Sequence, residues 1–307
     1  MRPDTHDATA PGGPADLRAL FRQVGRSPGQ GRLELTPAER PDADVDVEML
    51  DNTPLSLFDV EPLDIAGFVD GVQSRLLLTH VDHRPVQLYF VAAAAVNRDA
   101  HGRPVVLELD ERLRITCHES AAEWVNGLGA GIPLDVVEDG TPPEVEGAQY
   151  KLVSSTRDAA ERSVVSNLLG AGTGRLVVDG TLIGRPVDDR LFGVVKTVNR
   201  RWMPDESILW SLPENWRSPR FRIPASKSGP ERYSCYVRLR SNEIASWSYG
   251  LLRLEAFDAE MLDRLAALCV AEKQPTRSGD PRGDRHLEVI RLAEDVLRSR
   301  RPDAFSM

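Results

Sequence analysis

Residues 65–96 read IAGFVDGVQSRLLLTHVDHRPVQLYFVAAAAV, and residues 175–182 read RLVVDGTL. In the first stretch IAGFVDG, RLLLTHV and VQLYFVAAAAV are apolar runs bounded by Gly, Asp, Pro or Asn, the pattern of successive β-strands. VVLELDERLRITC, residues 105–117, continues with a further strand or two. Strands in close succession, before any long helix, predict an antiparallel meander that opens a mixed sheet. RLVVDGTL reads as another buried strand, and like FVDG it delivers an Asp-Gly pair at its end.

Working outward, DAAERSVVSNLL at 158–169 gathers Val164, Val165, Leu168 and Leu169 on one side and stops at the glycine-rich GAGTG of 170–174, which marks a helix end. LFGVVKTV at 191–198 is a strand with Lys196 near its end and the basic RRW turn behind it. YSCYVRLR and SYGLLRLEAF predict a hairpin within 232–257. Residues 258–271 form a helix, with acids in its first turn and Leu262, Leu265 and Leu268 on its apolar side. The stretch from Gly279 to Arg301 supplies the last helix, with Leu287, Ile290, Leu292 and Leu297 as its apolar residues. Upstream, Leu17, Leu20, Phe21 and Val24 space a short amphipathic helix, and 27–62 reads as an acidic, proline-containing connector with little regular structure. The expected organisation is an N-terminal tail, helix and connector over 1–62, a single α/β domain over 63–300 and a tail over 301–307.

Composition narrows the class. Of 307 residues 41% are hydrophobic and 28% charged, which is ordinary globular usage and excludes wholesale disorder. Cys117, Cys235 and Cys269 lie far apart, which excludes a zinc ribbon, argues against a disulfide framework and suits a reducing cytoplasm. The first residues lack a positive n-region followed by an apolar h-region, so a frayed tail is expected there and not a secretory signal. The longest mostly apolar run, Val86 to Val96, is about half of the roughly 20 residues a bilayer-spanning helix needs, and no membrane partner is expected. The net charge of −9 argues against gripping nucleic acid by bulk electrostatics. Between Arg185 and Arg240, however, twelve Lys or Arg stand against six Asp or Glu, a basic segment inside an acidic protein.

Chemistry concentrates on an ordered set of acids: Asp70 at a strand end, Glu161 in a helix, Asp179 at a strand end, and an acidic or His-bearing start to the last helix. Carboxylates at adjacent strand ends, with one from a covering helix, converge on hard divalent cations, and two such ions can hold the attacking and leaving oxygens of a phosphodiester. Asp-Gly is also a common turn dipeptide, and Glu early in a helix is ordinarily solvated. The order of the four elements is what carries the reading, because it is the layout of an RNase H-like nuclease core. Lys196, in an otherwise apolar strand, should reach an anion or snorkel to the sheet end. Arg185, Arg190, Arg200 and Arg201 surround it in sequence, with Trp202 available for stacking on a base. His80 and His83 lack further matched ligands, Cys117-His118 lacks nucleophile machinery, and GAGTG lacks the Gly-Lys-Ser/Thr of a Walker loop.

On FVDGVQSR at 68–75, Glu161 upstream of RLVVDGTL, GVVKTV at 193–198, YGLLRLE at 249–255 and the closing helix around His286, the chain resembles the NurA nucleases, over about Ile65 to Arg298. That resemblance implies an RNase H-like fold, Mn2+- or Mg2+-dependent DNA hydrolysis, and a homodimer docked on a HerA-like hexameric ATPase in DNA end processing or phage defence. It implies Asp70, Glu161, Asp179 and His286 as catalytic metal ligands, with Asp280 and Asp284 as alternatives for the last. Lys196, Arg200 and Arg201 would face DNA phosphates. Val72 stands where the family often has a small residue. Two other readings compete: a non-catalytic dimeric subunit or DNA clamp on an ATPase ring, and an ATPase of the actin and hexokinase type.

Overall fold

A computed structural model describes residues 47–196, 202–226, 229–242, 248–274, 285 and 287–305. The amphipathic helix expected near 15–26 lies outside them. The described part of the connector carries two short strands, β1 (Glu48–Met49) and β2 (Leu55–Ser56). The meander follows as β3 (Gly67–Val81), β4 (Arg84–Arg98) and β5 (Pro104–His118), each of 15 residues. Next come α1 (Ala122–Gly127), β6 (Leu134–Val137) and α2 (Pro142–Gly170). Strands β7 (Leu176–Asp179) and β8 (Leu191–Val195), the short α3 (Ser207–Ser211), β9 (Trp216–Arg217) and β10 (Phe221–Ile223) lead to the hairpin of β11 (Arg232–Arg238) and β12 (Leu251–Ala256). Helices α4 (Leu262–Ala271) and α5 (Glu288–Ser299) close the chain.

All twelve strands join one mixed sheet in the order β1-β10-β11-β12-β8-β7-β3-β4-β5-β6, with β9 pairing both β11 and β2. The meander is antiparallel, as expected. After the α2 crossover β7 lies parallel to β3, and β8 lies parallel to β7. One expected break is absent. IAGFVDG and RLLLTHV are one strand, because VQSR keeps the extended pairing with β4, so Asp70 sits inside β3 and not at its end. Of the one or two strands expected over 105–117, the structure forms one, β5.

Strand β4 explains the alanine run. Phe90, Ala92, Ala94 and Val96 pack under Ala293 and Leu297 of α5, while Ala93 and Ala95 face Ala160, Val164 and Val165 of α2. Both faces are covered, so every position must be apolar, and the alanines let the two helices approach closely. The connector does more than link: its Leu57, with Leu63 just beyond it, is buried with Phe68, Phe192, Leu254 and Leu265 in the largest core cluster. At the other end, beyond the expected domain boundary, Ala304 is buried and the Phe305 ring centroid lies 6.4 Å from that of Phe90. No helix among the described residues is long and apolar enough to cross a membrane.

Candidate metal centre

Strand alternation decides which acids can meet. Val69 pairs with Val178 in the parallel β3–β7 ladder, so Asp70 and Asp179 stand side by side one residue further on. Their neighbours Phe68 and Val177 share the α4 side of the core, and Val72 packs beneath α5, which fixes the face that Asp70 presents. Asp70, Asp179 and Glu294 of α5 each offer a carboxylate oxygen, and these oxygens all lie within 4.8 Å of one another. Asp70 is 7% exposed. Burial and the facing Asp179 charge push its carboxyl well above the usual range, against the pull of Lys196.

Lys196 follows β8 directly. Its Nζ lies 2.8 Å from Asp179 Oδ2 and 3.9 Å from Glu294 Oε1. Burial pulls this ammonium down, but the charges of Asp179, Asp70 and Glu294 outweigh it and hold the group above its ordinary value. The turn after Asp179 depends on two glycines. Gly180 adopts φ +116, and a Cβ on Gly193 would stand 2.7 Å from the Gly180 carbonyl oxygen. Beneath this turn Glu255, fully buried, accepts the Leu182 N–H and the Thr181 hydroxyl, each at 2.7 Å, and pairs with Arg232 at 3.2 Å and with Arg253.

Glu161 comes from the opposite face. It is buried on α2 against Gly71, pairs with Arg185, and lies 3.5 Å from Arg157 Nε. Burial raises its carboxyl, and the two arginines counter only part of that rise. It lines the same cavity as the three-acid cluster without joining it. His286, Asp280 and Asp284, the three expected candidates for the last ligand, lie outside the described residues, as do Arg200 and Arg201. The acid that α5 supplies is Glu294, which the sequence reading passed over.

The cavity measures about 670 Å³ and carries Arg75, Arg157, Arg162, Arg185, Arg298 and Arg301 alongside the acids. Its basic wall therefore comes mostly from outside the basic segment of 185–240. Within that segment, Arg217, Arg220 and Arg222 pair with Asp51, Asp263, Glu48 and Glu231. Arg238 is buried on the carbonyls of Leu212, Tyr249 and Leu209. Arg190 binds Asp188 and the Leu169 and Thr173 carbonyls, so it closes the end of α2 and builds no phosphate wall. Trp202, half-buried, packs in the cluster around Tyr236 and Leu251 and already carries the Arg253 guanidinium 5.7 Å from its ring centroid.

The minor candidates resolve into structure. His83 occupies the left-handed turn between β3 and β4, and His118 is buried, 3.0 Å from Asp139 and 3.2 Å from the Val81 carbonyl. All three cysteines are free and buried. GAGTG ends α2, with Gly172 at φ +74. Neither a protein-family model nor a curated protein matches the chain.

Proposed function

We propose that the chain is a metal-dependent DNA nuclease of the NurA type, a cytoplasmic homodimer with an RNase H-like core. It would act with a HerA-like hexameric ATPase in DNA end processing or phage defence. The observation that carries this reading is the convergence of Asp70, Asp179 and Glu294 within 4.8 Å at the base of an arginine-walled cavity. The order of the acid-bearing elements adds support: β3, three further strands, α2, β7 and the late α5 follow the acid-strand, strands, acid-helix, acid-strand, late-helix order of the RNase H-like reading.

The donors suit Mn2+ or Mg2+. All three are hard carboxylate oxygens, and an octahedral site with bonds of about 2.1 Å spaces its ligands roughly 3 to 4.2 Å apart, within small side-chain rotations of this geometry. When bound, such a cation lowers the pKa of a coordinated water and neutralises charge on a phosphoryl oxygen. The protein residues do the rest. Lys196 fixes the Asp179 carboxylate, Arg185 and Arg157 hold Glu161 against β3, and the remaining cavity arginines offer charge-assisted donors to successive phosphates. A basic track this limited, on a chain of net charge −9, suits DNA delivered by a motor better than DNA captured unaided.

One observation favours the non-catalytic clamp reading: Asp179 and Glu161 already carry protein counter-ions, Lys196 and Arg185. Cleavage of labelled single- and double-stranded DNA with Mn2+, Mg2+ or EDTA, with and without the ATPase, separates the two. Metal-dependent cutting that Asp179→Asn abolishes supports the nuclease. Absence of cutting by folded, ATPase-bound protein assigns the chain to the clamp.

A further inference from the structure

The place of Lys196 bears on how many cations the centre can hold. Its side chain is 7% exposed, and its ammonium touches Asp179 and approaches Glu294, two of the three carboxylates in the cluster. Its backbone is anchored as well: the Lys196 carbonyl accepts a 2.8 Å bond from Arg285 Nη1, while Arg285 Nη2 lies 2.7 Å from the Ser248 carbonyl. The cavity also shows an unmet need of the opposite sign. Arg185, 8% exposed and lining the same cavity as the cluster, keeps Nη1 buried with no hydrogen-bond partner among the described residues, a donor left for an anion.

Charge and space then point the same way. Ionised as metal ligands, Asp70, Asp179 and Glu294 carry three negative charges; Lys196 returns one positive charge inside the site and the exposed Arg298 reaches Glu294 at 3.0 Å from its solvent side, so at most two are left. Glu161 is matched separately by Arg185 and Arg157. One divalent cation neutralises the remainder, whereas a second would leave a positive excess in a buried site, where uncompensated charge is strongly disfavoured. Paired ions stand about 3.5–4 Å apart and must be held by shared or adjacent carboxylates. Here Asp179 Oδ2, one of the two oxygens that such sharing would use, is already taken at 2.8 Å by the ammonium.

We infer that the substrate-free centre takes one divalent cation and not two, because the Lys196 ammonium occupies the position of the second. This rests on the metal-centre reading above. Lys196 is then a positioning residue that sets stoichiometry and holds Asp179 in place, whatever it later offers to a phosphate.

Titration of the full chain with MnCl2, followed by calorimetry and by the electron paramagnetic resonance signal of free Mn2+, tests it without any cleavage assay. The expected result is one Mn2+ per chain for the wild type and for Lys196→Arg, and two for Lys196→Met. Two ions on the wild type, both lost in Asp179→Asn, would overturn the inference while leaving the metal centre standing. A single ion on folded Lys196→Met would overturn Lys196 as the cause. No ion sensitive to Asp179→Asn on the wild type would remove the metal centre and this inference with it. Should Lys196→Met fail to fold by near-ultraviolet circular dichroism, the wild-type and Lys196→Arg stoichiometries decide.

Discussion

Gly71 and Glu161 meet across the contact between β3 and α2, so closely that a Cβ on Gly71 would stand 2.8 Å from Glu161 Cγ. Glu161 cannot simply step aside, since Arg185 and Arg157 hold its carboxylate. Gly71→Ala is therefore expected to cost about 1–3 kcal/mol, the usual range for overpacking a tight site. Urea unfolding should show a lower midpoint with an unchanged slope.

Arg185 and Glu161 are each 8% exposed, so their pair is a buried one. Arg185→Ala leaves Glu161 with only the longer Arg157 contact and is expected to destabilise the fold by about 3–5 kcal/mol. Adding Glu161→Gln should recover part of that loss by removing the stranded charge. A double-mutant cycle reads the coupling, and strict additivity would contradict the pairing.

Asp70 is buried beside a like charge, and its carboxyl is pushed up in the folded state. The folded form therefore binds its proton more tightly than the unfolded chain does. Its contribution to stability is fully present below the unfolded value of about 3.9 and is lost as pH rises through the folded value. In EDTA, Asp70→Asn should melt at a higher temperature than wild type near neutral pH, with the gap closing toward pH 4. A lower melting temperature across the whole range would show that the charge is not strained.

Glu255 behaves in the opposite sense. Burial raises its carboxyl, but Arg253, Arg232, the Leu182 N–H and the Thr181 hydroxyl together bring it below its ordinary value. The stability it contributes is present above the unfolded value of about 4.3 and is lost as pH falls through the folded value. Glu255→Ala, which strands two buried guanidinium groups beneath the Asp179 turn, is expected to cost about 3–5 kcal/mol and to lower activity through that turn. Thermal melts from pH 3 to 7 should show the wild type losing its advantage at the acid end.

Much of the sheet was legible because its strands are long apolar runs with clear edges, and Asp70 and Asp179 announced themselves by interrupting such runs. Other features left weaker traces. The first half of α2 begins with Pro-Pro and contains Gly147, residues of low helix propensity, while its inward row runs Val145, Gln149, Val153, with a glutamine hydrogen-bonded to Gln87 at an apolar position. What starts that helix is a capping box between Thr141 and Glu144, a signal present in the sequence and passed over. Strands β1 and β2 have two residues each, too few for any periodicity.

Glu294 was missed for a related reason. The last ligand was sought at the start of the closing helix, and an acid further along an amphipathic helix ordinarily belongs to its solvated face; Glu294 does pair with Arg298 four residues on. Yet it stands one turn from Ile290 and beside Ala293, both buried, so it belongs to the margin of the inward stripe. An acid at that position was the available clue. The basic segment misled in the opposite direction, because a local count of charges is blind to the acids that fold back onto it from Glu48, Asp51 and Asp263.

The most direct test is Mn2+-dependent cleavage of labelled DNA by wild type and by Glu294→Gln, at matched folding stability and saturating ATPase. Glu294 enters the centre through geometry alone, without support from the family resemblance. A loss of about 100-fold or more, in line with removing a charged group that acts on the reaction's developing charge, is expected. Wild-type rates in Glu294→Gln would contradict the assignment of the Asp70, Asp179 and Glu294 cluster as the catalytic metal centre.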